Sequence, residues 1–255
     1  MNKNNKNDAS EYLSALPCGL IDFHSHILPG MDDGSKSVEE SLGMLEILTR
    51  AGVDTVIATP HFYARSENPQ SFFARRKTAL DTLNAALPAG APRILAGAEV
   101  YYFDGLVAID ELREFRIGGT ELILIEMPFR KWSERVVQDV ISIHSKRGFR
   151  VILAHAERYY SFGNVEAIRE LSSNGVIIQA NASWFNAGFF TRRAAMRALN
   201  EGLVDLIGSD CHNLTDRAPD LSGAYAQLLS HLRGEDFGQF VRNEREIFED
   251  SFVQL

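Results

Sequence analysis

The chain has 255 residues, 45% hydrophobic and 24% charged, with a formal net charge of −8. That length supports one large core or two small domains, and the acidic balance excludes a general nucleic-acid binder, which needs a basic footprint. Two cysteines, Cys18 and Cys211, are too few for a disulfide framework or a four-cysteine zinc site and point to a reducing, cytoplasmic setting.

The opening stretch, MNKNNKNDASEY, is polar and lacks the apolar segment of a secretory signal. Residues 1–18 read as a disordered extension, and 19–255 as one domain. No apolar run approaches the roughly 18 residues that cross a membrane, so no direct membrane insertion is expected. The first strand candidate is GLIDFH, ending at His24, with His26 just beyond it and Asp32 and Asp33 in the following turn. A helical pattern over Val38 to Arg50 leads to VDTVIATPH, ending at His61. RILAGAE then ends at Glu99, and ELILIEM contains Glu126. A helical stretch over Val136 to Lys146 precedes RVILAH, ending at His155, and another over Val165 to Ser172 precedes VIIQAN, ending at Asn181. The last runs over Thr191 to Asn200 and precedes LVDLIGSD, which ends at Asp210. Gly52, Gly148, Gly175 and Gly202 sit where left-handed helix caps are expected.

Near-continuous apolar strands alternating with helices imply a parallel sheet buried on both faces. Seven such units predict an α/β protein whose sheet closes, or nearly closes, into a barrel. An open doubly wound sheet is the alternative, but neither G-x-G-x-x-G nor G-x-x-x-x-G-K is present to support a nucleotide site.

Six of the seven candidate strands end at or near a histidine or carboxylate: His24 with His26, His61, Glu99, Glu126, His155, and Asp210 with His212. In a barrel these ends share one rim, so residues scattered over nearly the whole chain converge. Five of the seven histidines fall there. His144 and His231 lie on helical stretches and read as ordinary polar residues. Imidazole with carboxylate and no thiolate suits zinc, manganese or iron. The donors outnumber the needs of one tetrahedral ion, so two or three divalent ions are expected, with a carboxylate such as Glu99 bridging. Such clusters clamp phosphoryl or carbonyl groups and activate water.

DFHSHILPGMDDGS, ATPH, GAEVYY, LIEMPF, LAHAERY and IGSDCHN, in this order, resemble the polymerase and histidinol phosphatase family. The resemblance is greater to its bacterial protein-tyrosine phosphatases of capsule and exopolysaccharide synthesis, and it runs from about Gly19 to Ile247. It implies a distorted (β/α)7 barrel with a trinuclear metal site at the C-terminal strand ends, and manganese as the expected ion, with iron, zinc or cobalt as alternatives. It further implies that His24, His26, Glu99 and Asp210 bind one ion, Glu99, Glu126 and His155 a second, and Asp33, His61 and His212 a third. Asp32 reads as a turn residue or an acceptor that needs no metal. Asp22 either orients a ligating histidine or caps a turn. The implied partner is the phosphorylated tyrosine-rich tail of a membrane-linked bacterial tyrosine kinase. The oligomeric state is not fixed by the sequence. A small-molecule phosphomonoesterase such as histidinol phosphatase, and a non-catalytic binder of phosphorylated tails, are the other readings.

Arg158 and Arg217 follow His155 and His212 on rim loops, where guanidinium groups suit phosphate oxygens. The resemblance implies catalytic and substrate-binding roles for both; surface salt bridges with Glu157 and Asp216 are the alternative. Tyr101 and Phe103, and Trp184 and Phe185, follow strands and are candidates to flank a substrate ring, Tyr101 first; loop residues packing on the barrel rim are the equal alternative. Arg65, Arg130 and Lys131 add positive charge near the same rim. Cys211 to Arg217 also matches C-x5-R, the loop of cysteine-dependent tyrosine phosphatases, but it contains no glycine and is read as incidental.

Overall fold

The structure, a computed structural model, describes residues 19–232 and 234–253. The expected N-terminal extension and Cys18 lie outside the described residues. The strands are β1 (Leu20–Ser25), β2 (Val53–Ala58), β3 (His61–Phe62), β4 (Arg93–Ala96), β5 (Glu99–Tyr101), β6 (Leu122–Glu126), β7 (Arg150–Leu153), β8 (Ile177–Asn181) and β9 (Leu206–Gly208). The helices are α1 (Val38–Arg50), α2 (Pro69–Ala86), α3 (Glu134–Arg147), α4 (Val165–Ser173), α5 (Ala182–Asn186), α6 (Phe189–Asn200), α7 (Leu221–Leu232) and α8 (Gly234–Glu249). All four expected caps have positive φ.

Two expected strands are each broken in two. The second splits around Thr59 and Pro60 into β2 and β3, and the third around Gly97 and Ala98 into β4 and β5. Proline has no N–H for the ladder, which favours a break there. The halves lie in different sheets: β1-β2-β4 and β3-β5-β6-β7-β8-β9, parallel throughout. Backbone bonds from Gly97 N–H to Ala58 O (2.8 Å) and from Glu99 N–H to Pro60 O (3.1 Å) carry the wall across the kink. The far edges meet where Ser25 bridges Cys211 and Asp210 N–H donates to His24 O at 2.7 Å. The result is a distorted seven-stave barrel, as expected.

Alternation along the strands sorts side chains into two cores. Ile21, Phe23, Ile57, Leu122, Leu124, Ile152 and Leu206 belong to a cluster that α8 completes with Phe248, edge-on to Phe23 at 6.3 Å. Intervening residues such as Ile123, Ile125, Val151 and Leu153 belong to a second cluster with helix residues including Met44, Leu48 and Val140. Helix α8 is also tied to β9 through buried Glu244, which accepts Ile207 N–H at 2.9 Å and Tyr225 O–H of α7 at 2.7 Å.

Candidate metal centre

Each strand delivers its polar residue by its own local device. On β6 simple alternation suffices, because Glu126 follows Leu122 and Leu124 at a period of two. β3 and β5 pair His61 with Glu99 directly. On β1 the register shifts between Asp22 and Ser25, and such an irregularity re-aims side chains, here across His24. At the ends of β7 and β9 the backbone turns left-handed. His155 (φ 34°) and Asp210 (φ 52°) are the non-glycine residues with positive φ among the described residues. Backbone cost of this kind collects at functional sites. Gly208 leaves room for His24, because a β-carbon there would sit 2.5 Å from His24 Cβ.

A relay of amides sets the tautomer of His24. The Asp210 carboxylate only accepts, so Asn181 must present its NH2 to Asp210 Oδ2 (2.8 Å). Asn181 Oδ1 then accepts from Gln179 Nε2 (3.0 Å), which leaves Gln179 Oε1 facing His24 Nδ1 (3.2 Å) and His155 N–H (2.8 Å). His24 therefore carries its proton on Nδ1. His26 does the same, donating from Nδ1 to Asp32 Oδ2 at 2.7 Å, and His212 donates from Nδ1 to Asp210 O at 2.9 Å. In each ring the Nε2 lone pair is left for the cluster.

Those lone pairs converge. His24 Nε2 and His26 Nε2 lie 3.1 Å apart, and Glu99 Oε2 is 3.2 and 3.3 Å from them. Asp210 Oδ1 is 3.6 and 3.5 Å away. His155 Nε2 meets Glu99 Oε1 at 2.7 Å and Glu126 Oε1 at 3.4 Å. His61 Nδ1 lies 2.9 Å from Glu99 Oε2 without hydrogen-bond alignment. Asp33 Oδ1 is 3.5 Å from His61 Nε2 and 3.4 Å from His212 Nε2.

This donor set fits divalent cations. Buried polar atoms ordinarily find partners, yet His61 Nδ1, Glu99 Oε2, Glu126 Oε2, His155 Nδ1 and His212 Nε2 have no hydrogen-bond partner. Three ligand groupings emerge: His24, His26 and Glu99; His61, Glu99 and Glu126; and His26, Asp33, His61 and His212. The groupings differ from the expected partition at three points. Asp210 is in none of them, although its Oδ1 lies 3.5 Å from His26 Nε2. His61 also faces the Glu99–Glu126 pair, where His155 was expected, and His26 also faces the Asp33 group. Burial disfavours charge here, but the neighbours outweigh it: His24 and other histidines hold Glu99 and Asp210 well below the usual carboxylate range.

Asp32 accepts from both His26 Nδ1 and His61 N–H (2.8 Å), so it orients ligands. Asp22 accepts Ser209 N–H (2.8 Å), Ser209 O–H (2.6 Å) and His24 N–H (3.3 Å), clamping β1 to the end of β9 through backbone and hydroxyl groups, not through the His24 ring. Arg158 and Arg217 do not pair with Glu157 and Asp216. Both grip Asp210, Arg217 at 2.8 Å, and each stays partly open to solvent. His144 and His231 lie outside the groupings. Cys211 is fully buried between the two staves, and burial pushes its thiol up, unlike a cysteine nucleophile.

Beside the cluster opens a cavity of about 680 Å³, walled by Tyr63, Tyr101, Tyr102, Phe103 and Phe129, with Arg65 and Arg130 also on its lining. Tyr63 lies against His61 (5.1 Å between centroids), and Phe129 stacks on His155 (6.0 Å). Tyr101 thus lines the cavity. Trp184 and Phe185 do not: they are buried, with Trp184 packed edge-on against Tyr160. Tyr63, Phe129 and Gln179 escaped the sequence reading. Tyr63 stands two residues past His61, as Tyr101 stands two past Glu99, and that shared strand period marks it.

Residues 20–249 match the family described as "Capsular polysaccharide synthesis, CpsB/CapC". The chain belongs to the CpsB/CapC family. Among CpsB/CapC relatives, the tyrosine-protein phosphatase CpsB of Streptococcus agalactiae serotype III is 30% identical over 247 residues, covering 92% of this chain and all of that one. The tyrosine-protein phosphatase YwqE of Bacillus subtilis is 30% identical over 209 residues, covering 78% and 79%. A solved structure from work on YwqE and Streptococcus pneumoniae CpsB, described as unique metal-dependent tyrosine phosphatases, superposes with a TM-score of 0.78 at 23% identity over 92% of this chain and 96% of that one. The fold therefore agrees with that of this family.

Proposed function

We propose that this CpsB/CapC chain hydrolyses phosphotyrosine in proteins with the help of two or three divalent cations, manganese foremost. The observation that carries the reading is the convergence of unpartnered imidazole and carboxylate atoms beside an aromatic-walled cavity. The names of the relatives support it. His24, His26, Asp33, His61, Glu99, Glu126, His155, Asp210 and His212 would hold the ions, with Glu99 shared. Cations there would supply positive charge to phosphate oxygens and lower the pKa of water toward neutrality.

The chain's own residues do the rest. Tyr63, Tyr101 and Phe129 flank the phenyl ring and exclude water from it. Arg158 and Arg217 each spend an Nη on Asp210 and keep further N–H donors for phosphate oxygens. Phenolate is a better leaving group than a serine alkoxide, so an aryl ester needs less help from a general acid. Arg65, Arg130 and Lys131 favour acidic sequence around the tyrosine. The partner that fits is the tyrosine-rich tail of a membrane-linked kinase, met in the cytoplasm.

A substrate panel tests this. With Mn²⁺ present, phosphotyrosine peptides should be hydrolysed in preference to phosphoserine peptides and histidinol phosphate. Preference for histidinol phosphate would replace the reading with a small-molecule phosphatase. Tight binding of phosphotyrosine peptides without turnover would replace it with a non-catalytic binder.

A further inference from the structure

Helix α6 carries a feature the metal centre does not use. Helices that follow barrel strands begin at the rim where those strands end, and α6 begins soon after β8 and the short α5. The corner before it is fastened to that rim: Asn186 Nδ2 donates to Asp220 O and Oδ2, both at 2.9 Å. Asp220 lies three residues past Arg217 on the loop from β9.

Phe189 and Phe190 open α6 at 64% and 84% exposure, the most exposed large apolar side chains among the described residues. Their rings stand edge-on at 5.5 Å. Arg193 and Arg197 follow Phe190 at helical spacing, and both are exposed. Arg192 and Arg193 line a groove of about 360 Å³ with Phe189, Gln227, Ser230 and His231. Residues 187–200 contain no Asp or Glu, in a chain of net charge −8. None of the three arginines forms an ion pair among the described residues.

We propose that this edge docks the protein on an anionic phospholipid surface, with Phe189 and Phe190 in the interfacial layer and Arg192, Arg193 and Arg197 on headgroup phosphates. Charge complementarity selects an anionic occupant. Two largely exposed rings at the start of a helix favour a deformable layer over a shaped protein surface, and aromatic rings with flanking arginines are the usual composition of interfacial segments. The acidic remainder of the chain is repelled by the same surface, so the patch also sets orientation and presents the barrel rim to the membrane. Hydropathy detects spans, and no described helix is long and apolar enough to be one. Two phenylalanines escape such a search.

The test is co-sedimentation of the metal-loaded full chain with phosphatidylglycerol or phosphatidylcholine vesicles. The chain should bind the anionic vesicles only and be released by high salt. An arginine near an anionic surface contributes roughly fivefold in affinity, so Arg192→Ala with Arg193→Ala should weaken binding roughly 30-fold. Phe189→Ser with Phe190→Ser should weaken it about tenfold or more. Both double variants should keep wild-type hydrolysis of a soluble aryl phosphate and wild-type gel-filtration behaviour. Absence of binding to phosphatidylglycerol, or wild-type binding by either variant, overturns the proposal. So does a wild-type oligomer that the phenylalanine variant dissolves, which would make the patch an interface between copies. Lipid-free capture of an acidic peptide, lost in the arginine variant, overturns it in favour of a protein partner. Binding is read without substrate, so it stands or falls apart from the phosphatase reading.

Discussion

Asp32 and Arg158 separate two jobs that a polar rim residue can do. Asp32 touches no expected ion; it fixes the His26 ring and the His61 backbone. Asp32→Ala should therefore lower metal affinity by roughly 10- to 100-fold, seen in a metal titration, while the fold survives. Arg158 cannot ligate a cation. Arg158→Ala should cut kcat/KM by roughly 30- to 1000-fold, equivalent to about 2–4 kcal/mol, and Arg158→Lys should recover little. Metal content measured beside the kinetics distinguishes the two losses. Near wild-type turnover in Arg158→Ala would leave it only its contact with Asp210. Most of the residues that converge were legible in the sequence because they end or closely follow an apolar run; Asp33, in the turn after His26, was implied by the resemblance alone. Gln179 and Asn181 were not legible, because an amide relay has no pattern in one chain: its members are defined by which acceptors face them after folding.

At the scale of elements, the seven strands and four of the helices were legible from apolar runs, helical spacing and capping glycines, but the breaks inside two of the strands were not. VDTVIATPH reads as one strand, and only the neighbouring ladders decide that it changes sheets at Pro60. Helix α2 was unassigned in advance, and so were α7 and α8. Their seal on the barrel carries a testable charge. Burial pushes Glu244 from 4.5 up to about 8, against the lowering effect of Tyr225 O–H and Ile207 N–H. The folded chain then keeps a proton that the unfolded chain releases above its ordinary carboxyl range. Stability from this group is full below about pH 4.5, falls as pH rises, and is spent by about pH 8. Between pH 6 and 9 the loss is on the order of 2–3 kcal/mol. Glu244→Gln should remove most of that slope, so melting curves of variant and wild type should diverge with rising pH. Parallel pH profiles would show that Glu244 titrates normally.

For the whole molecule, the candidate metal centre joins both sheets and the closing edge between β1 and β9, so ligation and folding are linked. A cation at about a thousand times its Kd adds roughly 4 kcal/mol, which for a domain of this size raises Tm by roughly 8–16 °C. Chelation should lower the melting temperature by that order and abolish phosphatase activity, and Mn²⁺ should restore both; an unchanged Tm would mean that the cluster holds no ion in the folded chain. The left-handed turns at His155 and Asp210 bear on how such a protein can drift. Asparagine is the non-glycine residue most at ease with positive φ, and both His→Asn and Asp→Asn are single-base changes. Either substitution fits the backbone with little added strain while removing an imidazole or a carboxylate. A folded but silent descendant, able to hold phosphorylated tails without cleaving them, is therefore one mutation away, and the two positions to inspect for it in any genome are those that correspond to His155 and Asp210.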